Sequence, residues 1–221
     1  MKKIFFPVMV TSSLIGIGST LIGFFYNAQS AFFHGLVIVG ICILLGISIK
    51  TMDQLIDEIK NKSYKIWIIP LAIFIPISIV YLALTEEPVI GMVIGTVIGI
   101  ILAGKLDHPA YIISVILFIA LIIIAYLFNE IHIETTTYYI IPVAAAGSFL
   151  DEFGHEKWKS NNKNITFIFE HRFFLKIFAF FGVVLGYAEI IHLIGFLCFD
   201  IFYDITETAS RHDLNLGVHH A

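Results

Sequence analysis

The sequence is short of charged residues, cysteine and tryptophan. Only 14% of its 221 residues are Asp, Glu, Lys or Arg, whereas a soluble globular domain carries about 25%. This shortage argues against a water-soluble domain, because too few polar side chains remain to cover a core. The charges form no basic stripe, which excludes an ordinary nucleic-acid-binding surface. Cys42 and Cys198 both lie in apolar runs, so we interpret them as small buried side chains, neither disulfide-bonded nor metal-ligating.

Two common catalytic signatures are also missing from the sequence. It contains no glycine-rich phosphate-binding loop and no His-Glu-x-x-His helix. The first signature would indicate a nucleotide site and the second a zinc peptidase. Any chemistry must therefore come from residues that the fold brings together.

Long apolar runs make up most of the chain. Hydrophobic residues account for 58% of the sequence and the mean hydropathy is +0.92. Because a membrane-crossing helix needs about 20 mostly apolar residues, the sequence predicts an all-α polytopic membrane protein. We expect one helical transmembrane domain over residues 1–207 and a polar tail over 208–221. The predicted spans are Ile4–Tyr26, Ala31–Ile49, Ile66–Leu84, Val89–Ala103, Ala110–Phe128, a sixth from Tyr138 to about Glu156, and Phe173–Phe199.

The count of seven spans depends on how the last apolar region is divided. Residues 165–203 are too long for one crossing at about 1.5 Å per residue, so we predict a short interfacial helix over 165–172 before the seventh span. A split near Tyr187 to Gly195 would give eight spans. A second interfacial helix is predicted over Lys50–Lys65, where apolar residues recur at helical spacing among charges. Further along, Asp200 and Asp204 are four residues apart and are expected to form a solvated face.

The basic residues predict the orientation of the protein in a cell membrane. Short cytoplasmic loops are enriched in Lys and Arg. Residues 27–30, 85–88 and 129–137 contain neither, whereas the alternate connections do. We therefore predict a multi-pass protein of the cell membrane with a cytoplasmic N-terminus. Seven spans would leave the C-terminus outside and eight would leave it inside.

A glycine stripe marks the fourth predicted span. Gly91, Gly95 and Gly99 recur every fourth residue, a spacing that lets another helix approach closely. Packing within the chain is the simplest interpretation. The same face is also a candidate surface for a second copy or for another subunit of a membrane complex.

The densest group of potential ligands is the segment Ser148 to Glu156. Asp151, Glu152 and His155 fall on one side of one helical turn. The predicted orientation brings Asp107 and His108 to the same cytoplasmic side. Carboxylates with imidazole suit Zn, Mn or Fe, and such an ion can activate water while a carboxylate acts as base. The first functional hypothesis is a metal-dependent membrane hydrolase of lipid-like substrates at the cytoplasmic face, with Glu152 and Asp107 as catalytic groups and Asp107, His108, Asp151, Glu152 and His155 as ligands.

Two further functional hypotheses use other residues or other roles. Asp107 and Asp151 could share a proton as an aspartic acid–base dyad. Alternatively, ionisable groups within spans often line a transport path, and Glu189, His192 and His34 predict a small-cation or proton-coupled transporter. A non-catalytic subunit of a membrane complex is the remaining interpretation. The bilayer is the expected partner in all of these.

Overall fold

A computed structural model describes residues 5–25, 31–58, 62–128, 135–157 and 172–218 of the chain. Within these ranges the secondary structure is helical and contains no strand, which confirms the predicted all-α class. The helices are α1 (Phe5–Phe25), α2 (Ala31–Asp57), α3 (Lys62–Lys65), α4 (Ile68–Thr85), α5 (Glu87–Leu102), α6 (Pro109–Leu127), α7 (Thr135–Lys157), α8 (Phe173–Val184) and α9 (Ile190–Val218).

Three of these helices are long and apolar enough to cross a membrane by themselves. They are Phe32–Asp57 within α2, together with α4 and α6, and shorter apolar stretches occupy α1, α5 and α8. On α6 large apolar side chains remain exposed, such as Ile116 at 61% and Leu127 at 70%. Exposed apolar surface of this extent indicates contact with lipid rather than water. The structure therefore indicates a membrane protein, but the predicted count of seven spans is not confirmed.

The predicted single span Phe173–Phe199 is wrong, because the helix is interrupted. Helix α8 ends at Val184 and α9 begins at Ile190. Gly186 between them has a φ of 76°, a left-handed conformation that glycine adopts without steric cost. The turn therefore depends on one glycine. Because the residues around Gly186 are apolar, a hydropathy profile shows no break there.

The predicted interfacial helix over Lys50–Lys65 is also different in the structure. Helix α2 continues without interruption to Asp57, and only the four residues of α3 follow it as a separate helix. Met52 and Leu55 are 1% and 4% exposed, so the apolar face of this segment packs against protein and not against a membrane surface. The other predicted interfacial helix, over 165–172, lies outside the described residues except for Arg172.

The chain divides into two compact units. Unit 1 comprises Met1–Ser78 and Ile194–Ala221, and unit 2 comprises Ile79–Leu193. Within unit 1, α2 and α9 run side by side in the same direction. The contacts follow the same order along both helices: Cys42 lies against Gly195, Gly46 against Phe199, and Gln54 is hydrogen-bonded to Ser210. Gly46 lies directly against the backbone of Phe199, so a larger residue there would separate the two helices.

Helix α9 extends beyond the predicted limit of the helical domain at residue 207. It continues to Val218, and Ala209 and Ser210 are 5% and 1% exposed. The start of the predicted polar tail is thus part of the packed α2–α9 interface. Asp200, which was expected in a solvated face, is only 4% exposed, because its side of α9 is covered within unit 1.

Unit 2 is organised around the packing of α5 on α7. A Cβ atom on Gly95 or Gly99 would collide with the carbonyl oxygen of Ile141 or Ala145 on α7. Ser148 Oγ donates a hydrogen bond of 3.2 Å to the Thr96 carbonyl oxygen across the same interface. The glycine stripe is therefore filled by the chain's own α7, as the simplest interpretation of its spacing predicts.

Candidate functional site

A buried carboxylate–imidazole pair lies in unit 2 between the start of α5 and the start of α9. His192 Nε2 and Glu86 Oε2 are 2.6 Å apart, and the two side chains are 4% and 12% exposed. Pro88 lies in the first turn of α5, where its missing backbone N–H leaves no hydrogen bond within the helix unmade. Glu86 is the N-cap residue at the junction of α4 and α5 and is extended, with φ −133° and ψ 99°. Because its side chain does not cap α5, the carboxylate is available to His192.

The hydrogen bonds of His192 determine its protonation. The backbone N–H of Glu189 donates to Nδ1 of His192 at 2.9 Å. Since Nδ1 accepts a hydrogen bond, it carries no proton, and the single proton of the neutral ring must be on Nε2. The Nε2–H group then donates to the Glu86 carboxylate. In this arrangement the carboxylate accepts from Nε2 and the backbone N–H of Glu189 donates to Nδ1.

Two helix N-termini stabilise this charge distribution. Glu86 immediately precedes α5, and His192 lies in the first turn of α9. The N-terminal end of a helix carries a partial positive charge, which favours an anion and disfavours a cation nearby. Both side chains therefore lie at helix ends that favour negative charge.

Asp151, the centre of the predicted metal cluster, accepts hydrogen bonds from the start of α8. Its side chain is 3% exposed, and its two oxygens accept hydrogen bonds from the backbone N–H groups of Phe174 at 3.0 Å and Leu175 at 2.8 Å. These N–H groups lie in the first turn of α8, where an N-cap side chain normally accepts them. Arg172, the residue at the N-cap position, has no acceptor to offer, so α7 supplies the cap.

The other predicted metal ligands are distributed over separate contacts. Glu152 lies 3.8 Å from the Arg172 guanidinium. His108 Nδ1 accepts from the Ala110 N–H at 3.1 Å and so caps α6, while Asp107 is exposed. Among the described side chains, no three His, Cys, Asp or Glu residues are grouped so that they could share a metal ion. The side chain of His155 lies outside the described residues, so the metal site and the roles of Glu152 and Asp107 stay predictions.

The residues of the predicted transport path have separate surroundings. His192 is the buried member of the Glu86 pair, while the Glu189 side chain is exposed and contributes its backbone N–H. His34 belongs to α2 in unit 1. Glu86 was not among the predicted site residues. It lies 106 positions from His192, and no sequence spacing links the two.

A second polar group, which we call the Lys50 cluster, consists of Lys50, Asp53, Tyr203 and Glu207 in unit 1. Lys50 Nζ lies 2.8 Å from Glu207 Oε2 and 3.9 Å from Asp53 Oδ2. The Tyr203 hydroxyl donates to Asp53 at 2.8 Å, and Nζ lies 4.8 Å from the centroid of the tyrosine ring. One ammonium group is thus held by two carboxylates and an aromatic face.

Comparisons with known proteins add no family to this description. No protein-family model, no curated protein and no solved structure matches the chain. The function must therefore be inferred from the contacts themselves.

Proposed function

We propose that the protein is a proton-coupled membrane transporter of small cations, and that the Glu86–His192 pair is its proton-binding site. The supporting observation is the partly buried hydrogen bond of 2.6 Å between these side chains in a predominantly apolar helical chain. Ionisable groups buried in membrane proteins are costly and commonly mark ion or proton paths. A pair that served packing alone would be replaceable by apolar side chains at little cost.

The pair has the chemistry that proton transfer requires. Imidazole is the side chain that changes charge between about pH 5 and pH 8, and a carboxylate bonded to it can accept or return the proton. Glu86 lies in the connection 85–88, which has no Lys or Arg. Such a connection attracts cations rather than anions.

The parallel packing of α2 and α9 supports eight membrane crossings. Two helices that run side by side in the same direction cross a membrane in the same sense, so α9 must be an even-numbered crossing if α2 is the second. Counting α1, α2, α4, α5, α6, α7, α8 and α9 in turn makes α9 the eighth. In this count α8 belongs to the seventh crossing, and its twelve residues extend about 18 Å.

An even number of crossings places both termini on one side. The basic connections make that side the cytoplasm, so we propose that the C-terminus is cytoplasmic. A C-terminal fluorescent-protein fusion should fluoresce, and a C-terminal alkaline phosphatase fusion should be inactive, because each enzyme or fluorophore matures on only one side of a bacterial inner membrane. The opposite pair of results would exclude the eight-crossing topology.

Flux in proteoliposomes tests the function. The purified protein is reconstituted into vesicles that contain a pH-sensitive dye and hold an imposed pH gradient, and Na⁺, K⁺ or Ca²⁺ is then added outside. We expect one of these cations to dissipate the gradient in wild-type vesicles. His192→Gln should reduce the rate to that of protein-free vesicles, because glutamine takes up no proton in this pH range. Glu86→Gln should reduce the rate as well, because the carboxylate that receives and returns the proton is lost.

Glu87→Gln is the matched control for this experiment. It removes a carboxylate from the neighbouring position at the start of α5 but leaves the Glu86–His192 hydrogen bond in place. Its flux should resemble that of the wild type. Equal loss in Glu86→Gln and Glu87→Gln would show a general electrostatic effect, and flux that persists in His192→Gln would exclude the pair as the proton site.

A further inference from the structure

The proton that His192 gains would change the start of α9. In the structure Nδ1 accepts the Glu189 N–H, and Nε2–H donates to Glu86. Both ring nitrogens are therefore committed, one as acceptor and one as donor. A second proton on the ring can go only to Nδ1, where it would face the N–H group that Nδ1 now accepts.

We infer that proton uptake at Nδ1 of His192 breaks its hydrogen bond with the Glu189 N–H and releases the N-terminus of α9 from its cap. Glu189 is the residue before the first helical residue, Ile190, and His192 occupies the third helical position. An acceptor side chain at that position bonded to the backbone N–H of the capping residue is one half of a capping box. Imidazole fulfils this role only while Nδ1 is unprotonated.

The segment that would respond is the turn between α8 and α9. Residues 185–187 and Glu189 are exposed, and Gly186 is in the left-handed conformation. The backbone N–H of Tyr187 is bonded to the Gly182 carbonyl oxygen at 2.8 Å, which ties the turn to α8. Loss of the His192 side-chain bond would remove one of the two hydrogen bonds that join Glu189 to α9, the other being from the His192 backbone N–H to the Glu189 carbonyl oxygen at 3.1 Å. Tyr187 also stacks on Tyr139 of α7.

The charged groups around the ring set the direction of the effect. Glu86, from the junction of α4 and α5, is bonded to Nε2 and favours the protonated ring. Glu189, on the same segment as His192, adds a second negative charge, and Glu87 follows Glu86 in the first turn of α5. The N-terminus of α9 opposes the positive charge. The charge of Glu86 therefore favours proton uptake by the ring. Proton uptake is coupled to movement of the turn because it breaks the hydrogen bond that caps α9.

This inference rests on the proposed function and deepens it, since it assigns the proton to Nδ1 of His192 and identifies the α8–α9 turn as the part that moves. It does not require that transport be measured. Hydrogen–deuterium exchange of the full-length protein in lipid nanodiscs provides the test, with exchange times scaled to the intrinsic rate at each pH. Between about pH 8 and about pH 5 the amides of residues 186–193 should lose protection, while those of α5 should not.

His192→Gln is the decisive variant. A glutamine can accept the Glu189 N–H through its carbonyl oxygen and donate to Glu86 through its amide, but it takes up no proton in this range. The turn should stay protected at both pH values in this variant. In Glu86→Gln the loss of protection should occur at lower pH than in the wild type, because the charge that favours the protonated ring is gone.

The protonation state itself is checked by ¹⁵N spectroscopy of histidine-labelled protein. The signals that His192→Gln removes belong to His192, which separates them from the other histidines. At about pH 8 they should show an unprotonated Nδ1 and a protonated Nε2. Exchange of 186–193 that is independent of pH in the wild type would overturn the inference, since the proton would then reside on Glu86. A pH-dependent loss that persists in His192→Gln would also overturn it.

The outcomes of this test and of the flux assay are separable. If hydrogen–deuterium exchange of the turn depends on pH only when His192 is present, and no flux is measured, the transport function is contradicted but the proton-dependent cap is retained. Flux that requires His192 together with an unchanging α9 start would retain the transporter and exclude this form of coupling.

Discussion

The Lys50 cluster in unit 1 and the Glu86–His192 pair in unit 2 both bury ionisable groups, but they differ in what can change. Lys50 is held by two carboxylates, a hydroxyl group and an aromatic face. Lysine side chains do not ordinarily change charge within the physiological range. His192 has one carboxylate partner and one backbone donor, and imidazole can gain or lose its charge in that range.

The difference indicates that the Lys50 cluster stabilises the fold, whereas the Glu86–His192 pair serves function. A permanent charge surrounded by several opposite charges and dipoles joins two helices, here α2 and α9. A titratable group with only two partners can change state without collapse of its surroundings. We therefore expect substitutions in the Lys50 cluster to reduce stability, and substitutions in the pair to reduce flux.

The largest loss of stability is expected from Lys50→Met. The change leaves Asp53 and Glu207 largely buried without their cation, which should cost about 3 kcal/mol. The midpoint of thermal unfolding should fall by about 6–12 °C for a chain of this size, measured in the same lipid or detergent as the wild type. Lys65→Met is the control, since Lys65 is exposed. Equal midpoints for the two variants would show that the cluster does not join α2 to α9.

A smaller loss is expected from Gly99→Ala in unit 2. The new methyl group would lie 2.6 Å from the Ala145 carbonyl oxygen, and relieving this overlap should cost about 1–3 kcal/mol. Gly182→Ala is the matched control, because no atom lies within 4 Å of its Cβ position. If both variants unfold at the wild-type temperature, unit 2 does not depend on the close packing of α5 on α7.

Asp151→Ala should cost about 1–2 kcal/mol, since it removes the cap from α8. Metal analysis of the same protein tests the other interpretation of this residue. As a cap, Asp151 affects only the unfolding midpoint. As a metal ligand, it would give wild-type protein a stoichiometric divalent ion that is lost in Asp151→Ala and reduced in Asp107→Ala. That second result would revive the hydrolase hypothesis over the transporter.

The smallest change in stability is expected from His192→Gln. Glutamine can retain both hydrogen bonds, so the free energy of unfolding should change by less than about 1 kcal/mol, although flux should be abolished. Thermal unfolding and flux are measured on the same preparation. A loss of stability as large as that of Lys50→Met would mean that the pair serves as a structural link, and the contrast between the two units would fail.

Sequence patterns predicted the helices best where an apolar run ends at a strong local signal. Helices α5 and α6 begin beside Pro88 and Pro109 and agree closely with the predicted spans. The α8–α9 break was predicted only as an alternative, the split near Tyr187 to Gly195, because one glycine in an apolar region is a weak signal. The extension of α2 to Asp57 was missed because an amphipathic face is the same whether it packs against protein or a membrane surface.

The candidate site depended on contacts between distant parts of the chain. The sequence singled out His192 and Asp151 as unusual polar groups in apolar surroundings. It did not show that Asp151 caps α8, because its partners are backbone N–H groups 23 and 24 residues away. Nor did it show that Glu86 is the partner of His192, because each residue occurs next to a turn where a charge is ordinary.

By itself the sequence determined that this is a helical membrane protein, because composition and the length of apolar runs decide which solvent a chain requires. It also determined the close approach at Gly95 and Gly99, since small residues at fourfold spacing suit backbone packing. Only the tertiary structure decided that α9 lies parallel to α2 and that Glu86 meets His192. These two contacts depend on which helix faces pack together. The pairing of faces is determined by the shapes of whole helix surfaces rather than by any local sequence pattern.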